Sequence, residues 1–107
     1  MLHFAVNYDE LKNDFKKRVV IDGIPILITI LADKVYAIQD KCTHMGASLS
    51  KGTIKNHEVQ CRLHGAVFDL NTGEVQTKPH ISLIKMPAKK AKVFPTVVQE
   101  GKVFIDL

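Results

Sequence analysis

The stretch from Cys42 to Asp69, CTHMGASLSKGTIKNHEVQCRLHGAVFD, holds both cysteines of a 107-residue chain. Each cysteine is followed closely by a histidine. Cys42-Thr43-His44 comes first, and Cys61-Arg62-Leu63-His64 follows after a gap of sixteen residues. Short β-branched runs bounded by turn residues flank both motifs, so each Cys-His pair falls in a loop between strands.

Several chemistries use such residues. Two thiolates and two imidazoles can close a tetrahedral zinc site. Zinc fingers, however, place both cysteines in one knuckle and both histidines in the other, whereas here each loop supplies one of each. A disulfide between Cys42 and Cys61 leaves the neighbouring histidines without a role. In an iron–sulfur cluster two cysteines hold one iron and two histidines the other, and mixed loops suit that division. The bland alternative is a pair of buried cysteines beside ordinary surface histidines.

Outward from this stretch the pattern is all-β. FAV at 4–6 reads as a strand and YDELKND at 8–14 as one short helical turn. RVVI at 18–21, PILITIL at 25–31 and VYAIQ at 35–39 read as strands joined at Asp22-Gly23 and at ADK 32–34. HEVQC at 57–61, AVFDL at 66–70 and EVQ at 74–76 follow, with a turn at NTG 71–73. TVVQ at 96–99 and KVFID at 102–106 form a last hairpin around Glu100-Gly101. ASLS at 47–50 is a weak helical patch. Short strands and tight turns predict an antiparallel sandwich or barrel. Gly46 and Gly65, beside the Cys-His pairs, allow close backbone approach, while Gly52 reads as a plain loop glycine.

The length fits one domain, residues 1–107, with a small core. Hydrophobic residues make up 46% and charged residues 24% of the chain, the balance of a globular protein. The formal charge is +4, and residues 78–92 hold five lysines and no acid. A basic run of this kind steers acidic partners. Aromatic residues do not interleave with it, so nucleic-acid binding is not expected. The longest apolar run, Ile24–Ala32, is nine residues and contains Pro25, against the roughly twenty needed to cross a membrane. The first residues carry no secretory pattern. A cytoplasmic protein without membrane association is expected.

CTHMGASLS and CRLHGAVFDLNTGE together resemble the two cluster-binding loops of Rieske proteins: C-x-H, a gap, then C-x-x-H-G and an F-D-x-x-T-G-E turn. PA at 87–88, FP at 94–95 and EGKVFI at 100–105 are similar to the closing segments of small Rieske ferredoxins. The resemblance implies an all-β Rieske-like fold with a small inserted cluster-binding subdomain, approximately residues 40–80. It implies a 2Fe–2S cluster held by Cys42, His44, Cys61 and His64, with the cysteines on the inner iron and the histidines on the outer, solvent-facing one.

The same resemblance implies a soluble one-electron carrier, not an enzyme, between a flavin-dependent ferredoxin reductase and a terminal Rieske non-haem iron oxygenase. A small Rieske subunit of a larger oxidoreductase, such as a nitrite reductase, is the alternative within the family. A zinc-stabilised binding module is the alternative outside it. Two neutral imidazoles in place of thiolates leave the oxidised centre near neutral, which raises its potential above that of a four-thiolate centre. The high-potential branch carries an extra cysteine in each loop and hydroxyl donors to the cluster sulfurs. Ala47, Leu63, Ala66 and Phe68 stand in those places here, so a low-potential centre is expected, toward about −150 mV. The segment 75–86 is longer than in small Rieske ferredoxins. Either Pro79 or Pro87 answers to the family's cluster-covering proline, and His3, His57 and His80 read as surface residues.

Overall fold

The computed structural model describes residues 1–43, 46–81 and 83–107. Its central layer is a four-stranded antiparallel sheet. Strands β2 (Lys16–Ile21), β3 (Ile24–Leu31) and β4 (Lys34–Gln39) form a meander, and β11 (Val93–Phe94) adds to the free edge of β4. Ile26 pairs with Gln39 and Leu31 with Lys34. The Asp22-Gly23 turn places both residues at positive φ, the conformation a two-residue hairpin needs. Ala32 and Asp33 adopt the same conformation without a glycine, at a cost of roughly 1–2 kcal/mol per residue.

The apolar run of β3 is explained by burial on both faces. Ile26 and Ile28 point into one core with Val6, Leu11, Val35, Ala37, Phe94, Val103 and Ile105. Leu27 points the other way, joining Tyr36 and Ile38 of β4 in a second core. A half-buried strand would alternate apolar with polar, whereas a strand covered twice reads as continuous apolar sequence.

The first core lies against a three-stranded sheet of β1 (Leu2–Asn7), β13 (Lys102–Asp106) and β12 (Thr96–Gln99). Helix α1 (Tyr8–Asp14) caps one end of it by burying Leu11. The second core lies under a sheet of short strands: β5 (Thr53–Lys55), β6 (Glu58–Gln60), β7 (Val67–Asp69) and β8 (Val75–Thr77). Val59, Phe68 and Leu70 are its contribution to the core. A two-stranded hairpin of β9 (His80–Ile81) and β10 (Ile84–Lys85) stands beyond β8.

The predicted strands all form, and the helical turn spans the predicted residues 8–14. Strand β5, the β9–β10 hairpin and β11 were not expected from sequence. The weak helical patch is a 3₁₀ turn at Leu49–Lys51. Gly52 corrects an expectation. A Cβ there would lie 2.0 Å from the Gln60 carbonyl oxygen, so this glycine is required by close packing and is no plain loop residue. Among the described residues, no helix is long and apolar enough to cross a membrane.

Candidate metal centre

The two Cys-His motifs sit in loops closed by the same hydrogen bond. The Cys42 N–H donates to the Ala47 carbonyl at 2.7 Å, and the Cys61 N–H donates to the Ala66 carbonyl at 2.7 Å. Each loop thus returns on itself five residues after its cysteine, and both cysteines end up in the second core, 1% exposed. Neither is in a disulfide.

The structure brings the two thiols against one another. Burial pushes the Cys61 thiol above its ordinary pKa of 9.0. The Leu63 main chain, hydrogen-bonded to the sulfur, works in the opposite direction, and the adjacent Cys42 thiol raises it further. Such a pair is inert as free thiols at neutral pH, and a metal that displaces both protons turns it into a bidentate thiolate clamp.

His64 follows in the second loop, half-buried and at φ +60°. This left-handed conformation is uncommon outside glycine, though histidine is among the residues enriched there. The next residue, Gly65, is also left-handed, at φ +70°. The His64 carbonyl accepts the His80 N–H at 2.7 Å, which ties the β9–β10 hairpin to the loop. His44, the fourth residue of the predicted set, lies outside the described residues. Among the described residues, which leave out His44, no group of three metal-ligating side chains gathers around one point. In a two-iron centre with mixed ligands, thiolates and imidazoles serve different irons. The donor set fits such a centre: an adjacent, buried pair of thiols outside any disulfide, with a main-chain group already aimed at one sulfur.

The F-D-x-x-T-G-E turn has a local physical basis. The Asp69 carboxylate accepts the Asn71 and Thr72 N–H groups at 2.7 and 3.2 Å, an Asx turn. The Asp69 carbonyl accepts the Gly73 N–H at 2.7 Å, and the Gly73 carbonyl accepts the Ala91 N–H at 2.8 Å. The motif therefore anchors the returning chain under the second loop.

Sequence reasoning missed two features. Asp40, two residues before Cys42, is buried. Its carboxylate accepts the Arg18 guanidinium at 2.7 Å, the Ser48 hydroxyl at 2.5 Å and the Ser50 N–H at 2.5 Å. Nothing in a lone Asp between Gln39 and Lys41 signals this. His80 is exposed, as expected of a surface residue, yet its ring lies 3.0 Å from where a Gly65 side chain would begin. His57 is exposed, and His3 is partly buried 3.7 Å from Asp22. The long 75–86 segment lies over the site: Pro79 is buried, and Pro87 is exposed beside Thr43, whose hydroxyl donates to the Lys89 carbonyl at 2.6 Å.

Comparison with known proteins agrees with this geometry. Residues 2–94 match the model of the Rieske [2Fe-2S] domain. Ferredoxin CarAc of Metapseudomonas resinovorans is 33% identical over 85 residues, covering 79% of this chain and 73% of that protein. The ferredoxin component of the naphthalene 1,2-dioxygenase system of Pseudomonas putida is 28% identical over 89 residues, covering 83% and 79%. A chain in the complex of reduced oxygenase and oxidized ferredoxin in carbazole 1,9a-dioxygenase superposes with a TM-score of 0.83 at 28% identity, covering 97% of this chain and 91% of that one. The chain belongs to the Rieske [2Fe-2S] domain family, and its cofactor is a Rieske-type 2Fe–2S cluster.

Proposed function

We propose that this chain is the ferredoxin of an oxygenase system, a one-electron carrier with no substrate chemistry of its own. Cys42 and Cys61 hold one iron, and His44 and His64 hold the other. The single observation that carries this ligand assignment is the pair of adjacent, buried thiols presented by two identically closed loops. When bound, the cluster supplies a one-electron couple.

The chain's own residues do the rest. Burial of both cysteines keeps water from the thiolates, and the Leu63 main chain stabilises negative charge on the Cys61 sulfur. His64 keeps part of its surface open, which makes the histidine side of the centre the exit for the electron. Pro79, buried beside the second loop, is the covering proline. Ala66 and Phe68 are buried where a high-potential centre would carry hydroxyl donors, so the potential is low.

The donor is a flavin-dependent reductase and the acceptor a terminal Rieske non-haem iron oxygenase. Relatives named as ferredoxin components or subunits of dioxygenases support this over a subunit of a nitrite reductase. A cytoplasmic location suits a ligand set that needs both cysteines reduced.

The partner-facing surface is the 75–92 segment. It carries Lys78, Lys85, Lys89, Lys90 and Lys92 with no acid, and it exposes Ile81, Leu83 and Ile84 on the hairpin tied to His64. An acceptor with carboxylates around a shallow apolar face fits it. Electron transfer should slow as ionic strength rises, because screening weakens attraction between exposed charges. A salt-independent transfer rate would remove the electrostatic part of this reading. Cluster content is checked by iron and acid-labile sulfide analysis of anaerobically purified protein, with about two of each expected per chain.

A further inference from the structure

The two ligand loops are alike at their cysteines but are held shut by different means. The second loop is closed by its sheet: β6 and β7 pair directly below it, with Gln60 opposite Val67. Among the described residues the first loop has no such ladder. It leaves β4 at Gln39 in the central sheet, and the chain re-enters regular pairing only at Thr53, in a different sheet.

The Asp40 carboxylate takes the place of the missing ladder. Its Oδ1 accepts the Ser50 N–H at 2.5 Å. Its Oδ2 accepts the hydroxyls of Ser48 at 2.5 Å and Ser50 at 3.2 Å. The two hydroxyls are also 2.7 Å from each other. On the sheet side, Oδ2 accepts the Arg18 Nε at 2.7 Å, and the Asp40 N–H donates to the Pro25 carbonyl at 2.9 Å. Lys16 Nζ donates to the Ser50 carbonyl at 2.6 Å and the Gly52 carbonyl at 3.2 Å. A carboxylate with no exposed surface is costly unless every lone pair is matched. Here the matching partners are Arg18 of β2 and, at the far end of the loop that carries Cys42, Ser48 and Ser50.

We propose that Asp40 is a positioning residue of the metal centre: it clamps the Cys42 loop onto the central sheet, and its buried charge biases the cluster toward the oxidised state. A fixed anion in a low-dielectric surrounding raises the cost of adding an electron nearby, because the repulsion is weakly screened. Arg18 carries the opposite charge and is half-exposed, so its influence has the opposite sign and is smaller. The proposal rests on Cys42 as a ligand and is independent of the partner. Retention of a wild-type spectrum by Cys42→Ser would remove that ligand assignment by itself.

The test compares cluster-loaded wild type with Asp40→Asn, Arg18→Gln and the double variant Ser48→Ala/Ser50→Ala. Two quantities are read: the midpoint potential by mediator titration, and the rate of bleaching under an iron chelator. Asp40→Asn should make the cluster roughly tenfold easier to reduce at a fixed mediator potential, equivalent to about 59 mV for one electron. Arg18→Gln should shift it the other way by a smaller factor. The serine double variant keeps both charges, so its potential should stay within about twofold of wild type while bleaching accelerates severalfold. A general loss of structure would not move potentials in opposite directions for opposite charges. Equal-sign or absent shifts for Asp40→Asn and Arg18→Gln would overturn the electrostatic role. Wild-type bleaching in the serine variant would overturn the clamp.

Discussion

Replacing Gly52 by alanine isolates the packing that holds the two ligand loops back to back. Gly52 is extended, at φ −88° and ψ −166°, so alanine carries no conformational penalty there. The penalty is contact alone: the new methyl carbon would lie 2.0 Å from the Gln60 oxygen, 3.0 Å from its carbonyl carbon and 3.2 Å from the Leu49 oxygen. An ordinary carbon–oxygen contact is about 3.3 Å or longer, so two backbone segments must part by more than about 1 Å. Neither can yield like a side-chain tip, because Gln60 pairs with both Thr53 and Val67 in the sheet. Overpacking of this kind costs roughly 1–3 kcal/mol, and a backbone neighbour puts it at the upper end.

A domain of this size has about 5–15 kcal/mol in total, and each kcal/mol moves the melting temperature by about 4–8 °C. Gly52→Ala should therefore melt roughly 10–20 °C below wild type. It should also lose cluster, since Gln60 precedes Cys61. Gly23→Ala is the control. It sits at φ +78° with nothing within 4 Å, so only the left-handed penalty of about 1–2 kcal/mol applies, and cluster content should be unchanged. The assay is far-ultraviolet circular dichroism of cluster-loaded protein at one scan rate, with iron content measured beside it. Gly52→Ala melting within a few degrees of wild type, or less affected than Gly23→Ala, would refute the close-approach argument.

Changing His64 to Cys should raise the average g value of the reduced cluster or abolish cluster uptake, and an unaltered spectrum would exclude His64 as a ligand. The metal-free chain should lose stability as pH rises above about 9. The unfolded Cys61 thiol ionises at its ordinary pKa of 9.0 while the folded thiol still holds its proton, so the alkaline side favours the unfolded state. Urea unfolding at several pH values measures this slope, and Cys61→Ser should reduce it. Ile81→Ser/Leu83→Ser/Ile84→Ser removes three exposed side chains and should leave stability within about 0.5 kcal/mol per site. Transfer to the oxygenase should nevertheless slow severalfold in stopped-flow mixing, and an unaffected rate would place docking elsewhere.

Much of the fold was legible because local signals and burial agreed. The run of β3 and the Asp22-Gly23 turn state a hairpin in the sequence itself. The β5–β6 hairpin turns on Asn56 and His57, both at positive φ with no glycine present, so its first strand was invisible to turn chemistry. Strands β9, β10 and β11 have two residues each, too short for any periodic pattern to register.

At the site, the Cys-His spacing and the F-D-x-x-T-G-E turn were readable because each residue type acts within its own loop. Asp40 was not, because its partners Arg18, Ser48 and Ser50 come from different parts of the chain. Gly52 was misread for the same reason, since the atom that demands a glycine belongs to Gln60.

The central claim is unequal ligation of two irons, thiolates on one and imidazoles on the other. The electron paramagnetic resonance spectrum of the dithionite-reduced protein tests it most directly. Mixed nitrogen–sulfur ligation predicts a rhombic signal with a low average g value. The higher average g of an all-thiolate cluster, or a colourless protein that contains zinc and gives no signal, would contradict it.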